Sequence, residues 1–127
     1  MKVGSELAAR DKSFPVGMFL NNINERGIIT SIRAPINVEY LRKNSRLILI
    51  AVDANPKLRF ERAKKRKKLD DQTTFKDFKN LEQKEIILGQ MNVQKCMDMA
   101  DYKILNESTL EELKKKTDFI LKEQKLI

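Results

Sequence analysis

The residues of this chain best suited to chemistry lie in one basic stretch, FERAKKRKKLDD, which runs from Phe60 to Asp71. Arg62 and Arg66 are four positions apart, so on a helix they lie one turn apart and share a face. A guanidinium presents a planar fork of donors that matches the oxygens of a phosphate group. The stretch fits a lid that grips phosphates, a nucleic-acid or nuclear-import patch, or a solvated helix face, and the run alone favours none of these.

Three further polar residues end or directly follow short apolar runs: Arg33, Asp53 and Asn106. At the carboxyl ends of parallel strands, such side chains point into the crevice where open α/β sheets bind ligands. An arginine at position 33 is well placed for that crevice. Asp53 could orient a water or a metal ion, or cap the next turn, and Asn106 could contact a base or form a turn.

The apolar runs themselves are predicted to be strands. They are GIITSI (residues 27–32), RLILIAVDA (residues 46–54) and DYKIL (residues 101–105). The second run is continuous rather than alternating, which is typical of a strand buried on both faces. Helical segments separate the runs, so we expect an α/β fold in a three-layer αβα arrangement. Its sheet should be short and mainly parallel, with about three strands.

Proline and asparagine mark the starts of two predicted helices. Pro35 opens INVEYLRKN, in which Val38 and Leu41 can face a core. Asn55 followed by Pro56 predicts a second start, because the Asn side chain caps orphan amides and Pro needs no donor at the first helical position.

Two later helices are predicted from the spacing of their first residues. Thr74 with Asp77 and Ser108 with Glu111 both resemble capping boxes, in which the side chains at the two positions bond each other's amides. The segment MNVQKCMDMA (residues 91–100) is predicted to be a helix whose methionines and cysteine fill the core.

Composition bounds the class of protein. The chain has 127 residues, a length that suits one domain. Its net charge of +8 favours anionic partners. No apolar run approaches the roughly 20 residues of a membrane span, and the amino terminus lacks the apolar core of a secretory signal. Without histidine, a Cys/His zinc site and a His-based triad are excluded. The single Cys96 excludes an internal disulfide and fits a reducing compartment, so we expect a cytoplasmic protein.

We expect a single domain over residues 1–127. Its parts are a helical segment (1–26), a strand–helix–strand–helix unit (27–66), a lid-like charged segment with helices (67–99), and a last strand with a carboxyl-terminal helix (100–127).

In this order, four pieces of the chain resemble one family. They are IITSIRAPINVEYLRK, LIAVDANPKLRFERAKKR, the acids and TF that follow, and ADYKILNESTLEEL. The pattern resembles the later half of P-loop nucleotide kinases related to dephospho-CoA kinase. It is most similar to the archaeal dephospho-CoA-kinase-like domains and to the kinase-like domain of some deoxycytidylate deaminases. The similarity covers about residues 27–121.

The resemblance implies roles for four residues. Arg33 would lie near the phosphate acceptor, Arg62 and Arg66 would be lid arginines that contact ATP phosphates or stack on adenine, and Asn106 would lie near the adenine. The cofactors that it implies are ATP and Mg²⁺. Phosphoryl transfer depends on positioning and charge neutralisation, which arginines supply.

The sequence also departs from that family. None of Gly4, Gly17, Gly27 and Gly89 lies in a G-x-x-x-x-G-K-[ST] loop, and Thr30 stands where the family often has an Asp. We therefore expect a chain that starts inside the fold, after the first strand–loop–helix unit, and that has no kinase activity on its own.

Three functions remain. The first is a nucleotide- or phosphate-binding protein related to nucleoside-monophosphate or dephospho-CoA kinases, with phosphoryl transfer only if another polypeptide supplies the P-loop. The second is a non-catalytic assembly or regulatory module, since a missing central strand leaves an edge that a second copy or a partner chain must cover. The third is a nucleic-acid binder using Lys64 to Lys68, which is weakest because the run lacks interleaved aromatics.

Overall fold

The computed structural model describes residues 26–87 and 92–127 of the chain, so all but one residue of the predicted amino-terminal helical segment lies outside the described residues. The described part is α/β, with several helices and a short open sheet. In chain order, its elements are α1 (Pro35–Asn44), β1 (Ile50–Asp53), α2 (Pro56–Lys65), α3 (Phe75–Ile87), α4 (Val93–Asp98), β2 (Tyr102–Leu105) and α5 (Leu110–Glu123).

The two strands pair in parallel, as the sequence predicts. Ile50 lies opposite Tyr102 and Asp53 lies opposite Leu105. Parallel neighbours cannot be joined by a tight turn, and here α2, α3 and α4 form the crossover between them.

The predicted strand over residues 27–32 is wrong, because these residues belong to no strand. Ser31 has a φ of 63°, in the left-handed region, which interrupts an extended backbone. Ile28 is 85% exposed, so it packs against no sheet. The sheet of the described residues therefore has two strands rather than three.

Burial on both faces of the sheet, expected from the continuous apolar run, is only partial. Ala51 and Ile104 are buried, whereas Val52 and Leu105 are each 52% exposed. Among the described residues, α4 packs on β1 and α5 packs on β2, and this cover leaves part of the sheet surface open to solvent.

The core lies where α1 packs on α4, α4 packs on β1 and α5 packs on β2. Val38 and Leu41 are completely buried on α1, which confirms their predicted role. Cys96 is buried on α4. Its burial raises the pKa of the thiol despite a hydrogen bond to the backbone that lowers it, so the thiol is a core filler rather than a nucleophile. Of the helices that the structure describes, none is long and apolar enough to cross a membrane.

One carboxylate fastens the amino ends of both strands. The Leu49 amide donates to the Asp101 carboxylate at 2.8 Å, just before β1. Arg42 on α1 donates to the same carboxylate at 3.3 Å. Since both side chains of this ion pair are more than a third exposed, its value lies in register and position more than in energy.

Side chains cap the helices largely as predicted. Asn55 accepts from the Leu58 amide at 2.9 Å, and Pro56 begins α2. The predicted Ser108 cap is wrong by one position, because Thr109 is the residue that accepts from the Glu112 amide, at 3.2 Å. Both hydroxyl residues suit an N-cap, so their order in the sequence does not decide between them.

The predicted capping box at the start of α3 is confirmed in both directions. The Asp77 amide donates to the Thr74 hydroxyl, and the Thr74 amide donates to the Asp77 carboxylate, each at 3.2 Å. Hydrogen bonds from the Thr74 backbone and then from its side chain hold the pKa of Asp77 below its ordinary value of 3.8.

The Asp77→Asn variant should show that this carboxylate stabilises the fold in a pH-dependent way. A depressed folded-state pKa contributes stability above the unfolded pKa of 3.8 and loses it as the pH falls through the folded value. The wild-type advantage should therefore be present at neutral pH and shrink as the pH falls below 3.8, towards the lowered pKa of the folded protein. Urea unfolding of both proteins at a series of pH values from about 7 down to about 3 measures it. Asp118→Asn, at an exposed position of α5, is the control, and a difference that is constant with pH would contradict the expectation.

Candidate functional site

The carboxyl ends of β1 and β2 lie side by side and bring three of the five predicted site residues together, namely Asp53, Arg62 and Asn106. The Asn106 amide donates to the Asp53 carbonyl at 2.7 Å, which continues the ladder one residue past β2. The Asn106 carbonyl in turn accepts from Nη1 of Arg62 at 2.6 Å. Arg62, which is half-buried on α2, therefore lies across the ends of both strands.

A second contact fixes the start of α2 to the residue after Asn106. The Glu107 carboxylate accepts from the Asn55 amide at 3.0 Å and from the Asn55 side chain at 3.2 Å. Because the same Asn55 side chain caps α2, Glu107 orients the cap and thereby the helix that carries Arg62.

The Asp53 carboxylate bonds its own strand end. It accepts from the Ala54 amide at 2.8 Å, while the Ala54 carbonyl accepts from Nε of Arg59 at 3.0 Å. This is the turn-capping role that the sequence allowed for Asp53. In the described ranges, no group of three or more His, Cys, Asp or Glu side chains could hold a metal ion.

An ion pair and an aromatic cluster join α2 to α3. Arg59 is paired with Glu82, and its guanidinium lies 5.8 Å from the centre of the Phe78 ring. The ring centre of Phe60 lies 5.7 Å from that of Phe75 and 5.6 Å from that of Phe78. These contacts make α2 and α3 one packed pair, with the basic stretch leading out of it.

The other two predicted site residues stand apart from Arg62 and Asn106. The Arg33 carbonyl accepts from the Asn92 amide at 2.8 Å, and the Arg33 side chain is exposed. Arg66 is the exposed C-cap residue of α2. For the residues that the structure describes, no hydrogen bond joins either guanidinium to Arg62 or Asn106.

The rest of the basic stretch is a solvent-exposed surface around the end of α2. Its exposed cations are Lys64, Lys65, Arg66, Lys67 and Lys68. The Lys64 ammonium lies 5.3 Å from the centre of the Phe60 ring and makes a cation–π contact with it. Lys67 has a φ of 55°, which turns the chain sharply out of the helix.

The sequence does not predict the contacts that two residues of this region make. Glu107 follows Asn106 directly, yet nothing local predicts that it reaches the start of a helix more than fifty positions earlier. Arg59 shares α2 with Arg62, but its ion-pair partner, Glu82, lies on another helix. The parallel pairing of β1 and β2 brings Glu107 within reach of Asn55, and the packing of α2 on α3 brings Glu82 to Arg59.

The Glu107→Ala variant should lower the free energy of unfolding by about 0.5–1.5 kcal/mol, because it removes the acceptor of two Asn55 donors. Urea unfolding measures the loss, and faster amide exchange at Asn55 should accompany it. Glu39→Ala, an exposed carboxylate on α1, is the matched control. Equal effects of the two substitutions would contradict the proposed bracing of the helix start.

The chain is similar to curated proteins that carry the name UPF0200 protein. It is 35% identical to one from Pyrococcus horikoshii over 104 residues, which are 78% of this chain and 54% of that relative. It is 37% identical to one from Staphylothermus marinus over 90 residues, or 69% and 46% of the two chains. For one from Methanocaldococcus jannaschii, the identity is 35% over 96 residues, or 76% and 47%.

The chain thus spans about half the length of the curated relatives it matches. The name of these relatives states no activity, ligand or partner. No family model matches the chain, and no solved structure is significantly similar to it.

Proposed function

We propose that this chain is a nucleotide- or phosphate-binding protein related to the nucleotide kinases that resemble dephospho-CoA kinase, and that it shares its ancestry with the UPF0200 proteins. The proposal places the ligand at the carboxyl ends of β1 and β2. Phosphoryl transfer there would require a P-loop from elsewhere, because residues 1–127 hold no G-x-x-x-x-G-K-[ST] loop.

The observation that carries the proposal is the position of Arg62. Its guanidinium lies at the carboxyl ends of two parallel strands, where open α/β sheets bind their ligands. A guanidinium has five N–H donors, and the Asn106 carbonyl accepts from one of its nitrogens. Within the described part of the chain, no other hydrogen bond engages this guanidinium, so donors remain for phosphate oxygens, and the bond to Asn106 holds the group in place before a ligand arrives.

The surrounding charge supports an anionic ligand. Arg66 is one helical turn beyond Arg62 and is exposed, and the lysines around it extend the same positive surface. The net charge of +8 favours the approach of anions over longer distances. ATP with Mg²⁺ is the cofactor pair that we propose, with Arg33 facing the acceptor and Asn106 lying near the base. The free Cys96 fits the reducing, cytoplasmic compartment that we propose for the protein.

Thermal unfolding with and without ligand tests the proposal. The ligands are ATP, dCMP and dephospho-CoA, each with and without Mg²⁺ at matched ionic strength. A ligand that binds only the folded state adds about 2.7 kcal/mol at 100 times its dissociation constant, so one of them should raise the Tm clearly. The Arg62→Ala and Arg33→Ala variants should abolish the ligand-induced rise.

The control variant is Arg46→Ala, which removes the same side chain before the amino end of β1, away from the proposed site. It should keep the ligand-induced rise. Since Arg62 also bonds Asn106, each variant is compared with itself without ligand. No rise with any ligand at millimolar concentration would reject the nucleotide site and leave the resemblance to kinases purely architectural.

A second candidate function, a non-catalytic assembly module, is favoured by the incomplete cover of the sheet. Val52, in the middle of β1, is 52% exposed. Alternate residues of a strand direct their main-chain groups to opposite sides, so those of Ile50 and Val52 point away from β2. Among the residues that the structure describes, no strand pairs with that side of β1, and an apolar side chain beside such an edge is a site for another chain to cover.

Sedimentation velocity separates this candidate from the first. An assembly module should sediment with a mass above the 14.8 kDa of one chain, without any nucleotide. The Val52→Lys variant should sediment as a monomer, while Leu81→Lys, at an equally exposed apolar residue of α3, should leave the mass unchanged. A wild-type chain that is monomeric at all concentrations would exclude self-assembly.

A further inference from the structure

The outer edge of β2 carries main-chain groups that point away from its neighbour. The Tyr102 amide donates to the Leu49 carbonyl, which fixes the side on which the ladder to β1 runs. Because alternate residues of a strand direct their main-chain groups to opposite sides, Lys103 and Leu105 direct theirs outward. Within residues 26–87 and 92–127, no main-chain hydrogen bond reaches either of them from that side.

A groove of about 530 Å³ runs between this edge and α5. Its floor is apolar and includes Ile104, Leu105 and Phe119. Phe119 is 67% exposed and Leu105 is 52% exposed, so two large apolar side chains are presented to solvent beside main-chain groups with which no other described strand pairs. Exposed apolar surface next to an open edge is what an added strand would bury.

Three lysines form the rim of the groove: Lys103, Lys115 and Lys116. All three are exposed. The Lys116 ammonium donates to the Leu105 carbonyl at 3.0 Å and so covers one outward acceptor of the edge. Lysines at a strand edge oppose pairing with an identical edge, since two copies would bring like charges together.

We propose that the groove binds an extended, acidic segment of a partner protein, which adds to the outer edge of β2 as a third strand. Its apolar side chains, at alternate positions, would cover Leu105 and Phe119, and its carboxylates would meet the three rim lysines. The charge of the rim selects this occupant, because it repels a second copy of the same rim and attracts carboxylates.

Lys116 blocks the Leu105 carbonyl in the free protein, and binding of the partner would displace it. A carboxylate of the incoming strand would take the Lys116 ammonium, which releases the Leu105 carbonyl to accept an amide of that strand. A neutral or basic strand offers no such exchange, so the edge would stay covered. The groove lining includes no arginine of the proposed nucleotide site, so peptide binding and nucleotide binding can be lost independently.

The test uses fluorescently labelled peptides of about seven residues in which valine and glutamate alternate. The purified chain should bind this peptide, and its amide resonances at Lys103 and Leu105 should shift in a ¹⁵N-resolved spectrum. A peptide of alternating valine and lysine should bind at least about tenfold more weakly, since it meets like charge. N-methylation of alternate amides in the valine–glutamate peptide should have a similar effect, because it removes the edge hydrogen bonds.

Matched variants of the protein locate the binding. Changing all three rim lysines to glutamate should weaken binding of the valine–glutamate peptide by at least about tenfold and should improve binding of the valine–lysine peptide. The control changes Lys43, Lys76 and Lys95, three exposed lysines on other helices, to glutamate and alters the net charge equally. It should bind both peptides nearly as the wild type does. Phe119→Ser, at a side chain that is already largely exposed, should weaken binding without unfolding the chain.

Several results would overturn the proposal. They are an absence of binding at millimolar peptide, equal affinity for the two peptide charges, and no effect of N-methylation. Dimerisation of the wild-type chain that is lost in the Phe119→Ser variant would also overturn it, because the groove would then hold a second copy. Equal weakening by the rim and control lysine changes would reduce the interaction to net charge.

Discussion

The pairing of β1 with β2 is the interaction on which the rest of the described structure depends. Each strand has four residues, and neither has another described strand to pair with. Parallel strands need a long crossover, so this one short ladder fixes the ends of the segment that contains α2, α3 and α4. The remaining helices attach to it in turn, since α4 packs on β1, α1 packs on α4 and α5 packs on β2.

The same pairing explains why the polar contacts are concentrated at the carboxyl ends of the strands. The residues after β2 bond the element that follows β1: Asn106 accepts from Arg62, and Glu107 accepts from Asn55. Both bonds run from donors at α2 to acceptors after β2 and tie the helix to the sheet, so an arginine of that helix is oriented by the sheet rather than by its own rotamer preferences. A ligand at the carboxyl ends of the strands would meet a guanidinium that has already lost much of its conformational freedom.

The sequence predicts the features of this fold that depend on neighbouring residues. It predicts few of the contacts between residues that are far apart along the chain. The start of α2 at Asn55 and the capping box of Thr74 with Asp77 were read correctly, because each depends on residues within one turn. The apolar run over residues 27–32 predicts a strand, but a strand exists only through a partner, and Ser31 turns the backbone away. The contacts that position Arg62 and Asn55 join residues more than forty positions apart, and a single sequence carries no pattern for them.

The long separation between the two strands also has a kinetic meaning. Leu49 and Asp101 are 52 positions apart and must meet before the ladder can form. Closing a loop of that length costs chain entropy before any strand contact offsets it. The capped helices, in contrast, depend on neighbours along the chain and form on a much shorter timescale. Folding of this small protein should therefore be governed by a search in which preformed helices bring two short strands into register, which is a slow topology for so small a sheet.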